Sequence, residues 1–314
     1  MNATDSAPDN RPLVIGLGPV PPAEVEPTLG SGIRFEPNPG PADLAGAQGA
    51  IVRASAQIDE AAIAQLPALQ VMARNGVGYN NIDVAAATAH GIPVCITPGS
   101  NTRAVAEGAF AHMLHLVKNL APFTALVREG RWDERTTIPM GDLDGATLGI
   151  IGFGRIGRLV AQMAEVFDMK VLAYDPVAEV PAELDASLET IYAQSDIVSL
   201  HLPLLESTRN IIDATALQAM KPGAILLNVS RGGLIDEDAA LAALESGHLA
   251  GVGLDVFESE PPADHGLYQH PNTVLTPHML GISKKAAHAN YVMAAQIVRD
   301  VLEGKEPTTA VSPE

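Results

Sequence analysis

Short runs of apolar, β-branched residues alternate along this chain with stretches in which apolar positions recur every three or four residues. Before residue 100 the runs are LVIGL from Leu13, AIVRA after Gly49, LQVMAR ending at Arg74 and IPVCIT from Ile92. Helical patterns, DEAAIAQL and NIDVAAATAH, lie between them. Strand, helix, strand at this spacing predicts βαβ units on a parallel sheet. A single helical pattern then covers residues 101–130. At 1.5 Å per residue it would exceed roughly 40 Å if unbroken, and Pro122 is where the pattern predicts a break or bend. An element of that length is expected to serve as a subunit contact as well as a connector.

The alternation resumes over residues 147–278, with TLGIIGF, KVLAYD, DIVSLHL, AILLNVS, GVGLDVF and TVLTPH as strands. RIGRLVAQMAEVF and DEDAALAALES are among the helices between them. After His278 one long helical pattern remains, SKKAAHANYVMAAQIVRDVLEG, with no sheet of its own. It is expected to fold back onto the first hundred residues. The reading is an α/β protein of two domains, one discontinuous (1–100 plus 283–314) and one continuous (101–282). A length of 314 residues at 47% hydrophobic content supports two cores.

Charge narrows the partners. With 19 basic against 37 acidic residues the formal charge is -18, which repels phosphate backbones and anionic bilayers, so neither nucleic acid nor membrane is expected. The opening MNATDSAPDNRP is polar and acidic, unlike a signal peptide, and no run of about 18 uninterrupted apolar residues follows. A cytoplasmic protein is expected. The one cysteine, Cys95, lies in the apolar run GIPVCIT and reads as a buried structural residue. His112 and His115 are three apart on a predicted helix, and His265 and His270 share a loop, yet neither pair has a third ligand at metal spacing. No metal is expected.

GFGRIG places Gly152, Gly154 and Gly157 between an apolar strand and an amphipathic helix. That is the context in which the first glycine turns tightly, the second admits a pyrophosphate and the third lets helix and strand pack closely. The next strand ends at Asp175, about 20 residues after these glycines, where an acid reaches a ribose 2′-hydroxyl and repels a 2′-phosphate. No arginine follows nearby, so NAD is favoured over NADP. Three further strands run into polar residues: Arg231 after AILLNVS, Asp255 and Glu260 in GLDVFESEPP, and His278 in TVLTPHM. Arg231 suits a bidentate clamp on a carboxylate, though alone it fits a surface ion pair equally well. His278 paired with a carboxylate would become a proton donor of fixed tautomer.

GFGRIG, HLPLLEST, NVSRGGLIDEDAA, GLDVFESEPP and TPHM, with ARNGVGYNNIDV and TPGSNTRAVAE before them, resemble in order and spacing the NAD-dependent D-isomer-specific 2-hydroxyacid dehydrogenases. The likeness is strongest to their 3-phosphoglycerate dehydrogenase branch. The resemblance implies two Rossmann-like or flavodoxin-like parallel-sheet domains with a cleft between them, the first binding substrate and the second NAD. It implies a catalytic set of Arg231, Glu260 and His278, with Asp255 holding the nicotinamide carboxamide. It further implies that Arg155 and Ile156 face the pyrophosphate and that His201, Leu202, Pro203 and Thr208 line the cofactor groove. Val229, Ser230 and Gly281 are implied cofactor contacts. Gly76, Val77 and Gly78 would offer backbone N–H groups to the substrate carboxylate, and a homodimer through the helix from Thr102 is implied.

Two features bear on the substrate. Where the family often reads PHIGG or PHIA this chain reads PHMLGIS, which is expected to put Met279 and Leu280 beside the nicotinamide pocket. Arg53, Arg74 and Arg135 are candidates for a second anion site, against the alternative of ordinary salt bridges. A 3-phosphoglycerate-type substrate is expected first, with glyoxylate or hydroxypyruvate reduction next. A third reading is an NAD-sensing binding protein like the C-terminal-binding corepressors. The chain ends about ten residues after its last predicted helix, so a C-terminal effector domain and serine feedback are not expected.

Overall fold

The structure is a computed structural model that describes residues 9–313. Most of the polar opening stretch, residues 1–8, lies outside the described residues. The chain divides into two compact units. One takes the described residues up to Asn101 and those from Lys284 onward, and the other is Thr102–Ser283.

The first unit is built on β1 (Leu13–Leu17), β2 (Arg34–Glu36), β3 (Gly49–Val52), β4 (Val71–Arg74) and β5 (Val94–Cys95). These form a wholly parallel sheet in the order β2-β1-β3-β4-β5, the flavodoxin-like arrangement. Side chains alternate between its faces. Leu13 and Ile15 of β1 join one apolar cluster with Met72 and Ile63, while Val14 joins another with Val71, Ala294 and Val298. The second face is covered by the Lys284–Leu302 helix, which also packs on the Pro22–Leu29 helix. Cys95 is buried, and burial pushes its thiol up to about 11, as befits a packing residue.

The second unit carries β6 (Thr147–Ile151), β7 (Lys170–Tyr174), β8 (Ile197–Leu200), β9 (Ala224–Asn228), β10 (Leu249–Leu254) and β11 (Thr273–Leu275). Their order is β11-β10-β9-β8-β6-β7, all parallel. An isolated parallel bridge from Ala173 to Asp185 lays the chain after β7 along that edge. Counting this segment as the third strand gives the Rossmann succession 3-2-1-4-5-6 with one strand added. The order reverses between β6 and β8, so a crevice opens at their carboxyl ends. β8 and β9 are buried along their whole length, which explains their unbroken apolar runs. Leu226 and Ile225 point into separate clusters on opposite faces.

The expected 101–130 helix is two helices, Thr102–Val117 and Leu120–Arg128. The break falls at Asn119, which is left-handed at φ 48°, and not at Pro122. Pro122 sits in the first turn of the second helix, where its missing N–H is one the helix could not have used.

Candidate active site

The second unit gathers polar residues at the carboxyl ends of its strands. Gly152 ends β6 at φ 103°, and a Cβ there would stand 2.5 Å from the His201 carbonyl carbon and 2.7 Å from the Leu202 nitrogen. Only glycine lets the turn after β6 lie so close to the backbone after β8. A Cβ on Gly157 would meet the Gly152 carbonyl oxygen at 2.1 Å, so close helix-to-strand packing also requires glycine there. Gly154 differs, because a Cβ there would meet nothing within 4 Å. It caps the Arg155–Glu165 helix without any side-chain hydrogen bond, so no side chain of the cap occupies the first-turn N–H groups at Arg155 and Ile156. That cradle, with its dipole, fits a pyrophosphate.

Asp175 follows β7. Its Oδ2 accepts from Phe153 N–H at 2.6 Å, and its Oδ1 accepts from Val177 at 2.8 Å and Ala178 at 2.7 Å. The carboxylate thus ties the glycine turn to the end of the neighbouring strand. Arg158 stacks on Phe153 and donates to the Glu179 carbonyl, which brings a cation to the turn after Asp175 that the sequence reading overlooked. Burial pushes the His201 imidazole down to about 4, so it is neutral, and its Nε2 lies 2.9 Å from Ser199 Oγ. Leu202 is buried and its carbonyl accepts from the Ser230 hydroxyl, joining the ends of β8 and β9. The buried Thr208 hydroxyl donates to Pro203 O and accepts from Leu205 N–H, each at 2.8 Å, so it shapes the turn from within.

Beyond β9, Asn228 braces the loop: its Nδ2 donates to Arg231 O at 2.8 Å and its Oδ1 accepts from Ser230 N–H at 3.1 Å. Nothing in the sequence reading singled it out. With Val229 buried between them, Ser230 and Arg231 are held at the strand end. Burial lowers the Arg231 guanidinium from its usual range, while the Glu260 charge opposes that shift. A desolvated guanidinium without full neutralisation is a seat for an anion.

Glu260 and His278, on the segments after β10 and β11, meet with His278 Nδ1 2.7 Å from Glu260 Oε2. The other carboxylate oxygen accepts from Phe257 N–H at 3.3 Å. With Nδ1–H donated to the carboxylate, Nε2 is the nitrogen left to exchange a proton. His278 itself is left-handed, at φ 54°. Asp255 is only 2% exposed. Its oxygens accept from Thr276 Oγ1 at 2.6 Å, Met279 N–H at 2.9 Å and Leu280 N–H at 3.2 Å. In this structure Asp255 pins the turn on which His278 sits. Gly281 continues that turn, closed by Ile282 N–H to Met279 O at 2.9 Å.

Leu280 departs from expectation. It packs against the second unit's core, beside the Thr102–Val117 helix, where a Cβ on Gly108 would be 2.8 Å from it. Met279 remains 49% exposed.

In the first unit Arg53 Nη1 donates to Asn75 Oδ1 at 2.9 Å and its guanidinium lies 5.3 Å from the Tyr291 ring centre. Arg74 donates to the Asn75 carbonyl, so both arginines converge on one residue. Gly76 also departs from expectation. Its N–H is donated to the buried Thr97 hydroxyl at 2.8 Å, so it is not offered to a ligand. Val77 and Gly78 follow it in the same loop. Arg135 sits in the second unit's short Trp132–Thr136 helix, exposed, donating to Trp132 O at 3.0 Å and stacked on that indole. Among the described residues no cluster of His, Cys, Asp and Glu could hold a metal ion, and no helix is long and apolar enough to cross a membrane.

Residues 110–279 match the family model described as "D-isomer specific 2-hydroxyacid dehydrogenase, NAD binding domain". A hydroxypyruvate reductase from Thermotoga maritima is 40% identical over 259 residues, covering 81% of this chain and 83% of that protein. A D-3-phosphoglycerate dehydrogenase from Bacillus subtilis is 39% identical over 258 residues, covering 81% of this chain and 48% of that protein. The chain thus spans about half the length of that dehydrogenase. Among solved structures, an NADPH-dependent glyoxylate/hydroxypyruvate reductase from Sinorhizobium meliloti in complex with citrate superposes with a TM-score of 0.84. Its identity is 29%, and the match covers 96% of this chain and 98% of that one.

Proposed function

The chain belongs to the D-isomer-specific 2-hydroxyacid dehydrogenase family, and from that membership we propose that it interconverts a D-2-hydroxy acid and its 2-oxo acid with NAD. The observation that carries the proposal is the His278–Glu260 pair, at 2.7 Å, beside the partly buried guanidinium of Arg231. When bound, NAD supplies the two-electron chemistry at C2 of the acid. Gly154, Arg155 and Ile156 would hold its pyrophosphate and Asp175 its adenosine ribose.

The protein's own groups then handle charge. As the carbonyl oxygen of a 2-oxo acid becomes an alkoxide, protonated His278 delivers a proton to it from Nε2, and in the oxidative direction takes that proton back. Glu260 holds Nδ1–H and offsets the imidazolium charge. Arg231 faces the substrate's carboxylate and carbonyl oxygen, where an anion offsets the cost of burying its cation. Residues 1–100 with 283–314 act as the substrate domain and 101–282 as the NAD domain in this reading.

The substrate we favour is of the 3-phosphoglycerate type, because Arg53 and Arg74 both bond Asn75 and so bring two guanidinium groups together where a second anion would sit. Hydroxypyruvate or glyoxylate is the second reading, supported by Arg135, which is engaged on Trp132. NADH oxidation over phosphohydroxypyruvate, hydroxypyruvate, glyoxylate, sulfopyruvate and branched 2-oxo acids decides between them, and repeating it with NADPH tests the cofactor. Tight NADH binding with no turnover on the whole panel would favour an NAD-sensing protein. A homodimer is part of the proposal, with Leu120, Val127 and Trp132 exposed on and after the Leu120–Arg128 helix as its apolar surface.

A further inference from the structure

We propose that His112 is a positioning residue for His278, acting through Thr276 and Asp255; the inference rests on the dehydrogenase reading above. His112 lies on the Thr102–Val117 helix, is 3% exposed, and belongs to none of the roles assigned so far. Its Nε2 is 3.1 Å from Thr276 Oγ1, and the Thr276 hydroxyl is 2.6 Å from Asp255 Oδ1.

The direction of this chain follows from counting protons. Thr276 has one hydroxyl proton, and a carboxylate can only accept, so that proton goes to Asp255. At the contact with His112 the hydroxyl oxygen is therefore the acceptor, and Nε2 carries the hydrogen. Burial, with His115 nearby, pushes the His112 imidazole down to about 4, so near neutrality it is the uncharged Nε2–H tautomer. Its Nδ1 needs no donor and has no partner among the described residues. The ring fits because residue 253 is glycine: a Cβ there would be 3.1 Å from Nδ1.

The consequence reaches His278 through the backbone. Asp255 receives Thr276 from the residues before His278 and the N–H groups of Met279 and Leu280 from those after it. One buried carboxylate thus clasps both sides of a residue held at φ 54°, a backbone conformation that needs such support. Filling the Thr276 lone pair from His112 keeps the hydroxyl proton on Asp255. An apolar side chain would leave that lone pair unfilled in the interior and the Thr276 side chain held at one end only. One helical turn earlier, Gly108 receives Leu280 from the same segment, so one face of the helix grips the turn at two points.

The test compares His112→Leu with His112→Gln, whose amide N–H can reach where Nε2 stood. In His112→Leu, kcat is expected to fall about ten- to a hundredfold while KM for NADH changes by less than about twofold, because a misplacement of the order of 1 Å costs rate and not cofactor contacts. The solvent deuterium isotope effect on kcat should grow, since proton delivery becomes more rate-limiting. His112→Gln should recover most of kcat and the parental isotope effect. Parental kcat in His112→Leu, or a glutamine variant no better than leucine, overturns the proposal. Should His112→Leu fail to fold, Thr276→Val against Thr276→Ser interrupts the same chain, and equal loss in both overturns it. If the unaltered protein reduces no 2-oxo acid, the dehydrogenase reading falls by itself. The positioning is then read from the NMR shifts of the His278 imidazole, which must move in His112→Leu and hold in His112→Gln; shifts unchanged in both overturn it.

Discussion

Gly152 and Gly154 are two residues apart, yet alanine should harm them in opposite ways. At Gly152, φ is 103°, and the added Cβ would stand 2.5 to 2.7 Å from backbone atoms of His201 and Leu202. Neither atom can turn aside without moving the end of β8. The left-handed backbone costs roughly 1–2 kcal/mol for an L-residue, and overpacking against fixed atoms adds about 1–3 kcal/mol. Gly152→Ala should therefore lose about 2–5 kcal/mol of unfolding free energy. At Gly154, φ is -72° and no heavy atom lies within 4 Å of the new methyl. Replacing an N-cap glycine by alanine costs at most about 1 kcal/mol. The methyl does occupy the approach to the helix N-terminus, so NADH affinity should weaken by about tenfold or more, equivalent to about 1.4 kcal/mol. Urea unfolding and NADH fluorescence titration on both variants read the crossing pattern. A Gly154→Ala protein that binds NADH like the parent would refute the pyrophosphate seat, and a Gly152→Ala protein within about 0.5 kcal/mol of parental stability would refute the close approach.

Other outcomes follow from the same geometry. His278→Ala should lower turnover by about 10² to 10⁴ with NADH binding retained, and near-full activity would remove the histidine from proton transfer. Arg53→Ala should raise KM for phosphohydroxypyruvate far more than for glyoxylate; parallel increases would dismiss the second-anion site. Asp196 supplies a pH test of stability. Burial raises its carboxyl, but the Lys221 ion pair and the Thr147 N–H bond at 2.8 Å prevail and hold it below the usual carboxylate range. The folded state therefore holds that proton less tightly than the unfolded chain. The pair's contribution is complete above the unfolded pKa and disappears as pH falls through the lower folded one. Asp196→Asn should melt below the parent at pH 7, and the gap should close below about pH 4; a gap independent of pH would refute the assignment.

Much of the fold is legible because burial on both faces writes continuous apolar runs into a parallel strand, as in GAIV of β3 and AILLN of β9. β2 is not legible. Its sequence is RFE, with only Phe35 buried, because an edge strand of three residues carries no repeat to recognise. The edge segment at Asp185 escapes for the same reason. The misplaced helix break shows a competition between two local signals. Proline is the stronger helix breaker in the interior, but in a first turn it breaks nothing, and asparagine, tolerant of the left-handed region, ends the preceding helix instead.

In the candidate site, polar residues following apolar strands were legible one by one, whereas their bonds were not. Arg231, Glu260 and His278 stand out against AILLN, LAGVGL and TVL. Asn228 ends a buried strand and reads as an ordinary turn former. Leu280 reads as a neighbour of the cofactor until its space beside Gly108, far away in sequence, is known.

The division of labour between the two carboxylates after β10 follows from burial. Asp255, almost wholly buried, is raised by desolvation, against which the hydroxyl of Thr276 and the N–H groups of Met279 and Leu280 act. Those three bonds, with the charge of His278 acting in the same direction, commit the residue to holding the backbone around His278. Glu260 has a side chain 38% exposed, with a single backbone N–H and an imidazole as partners. Water reaches it, so the pair of imidazole and carboxylate is not stranded in the interior. A carboxylate as exposed as Glu260 in place of Asp255 would leave the turn around His278 unsupported. Because both leave the sheet from the end of β10, the position of that one strand fixes where the imidazole stands and which of its nitrogens exchanges the proton.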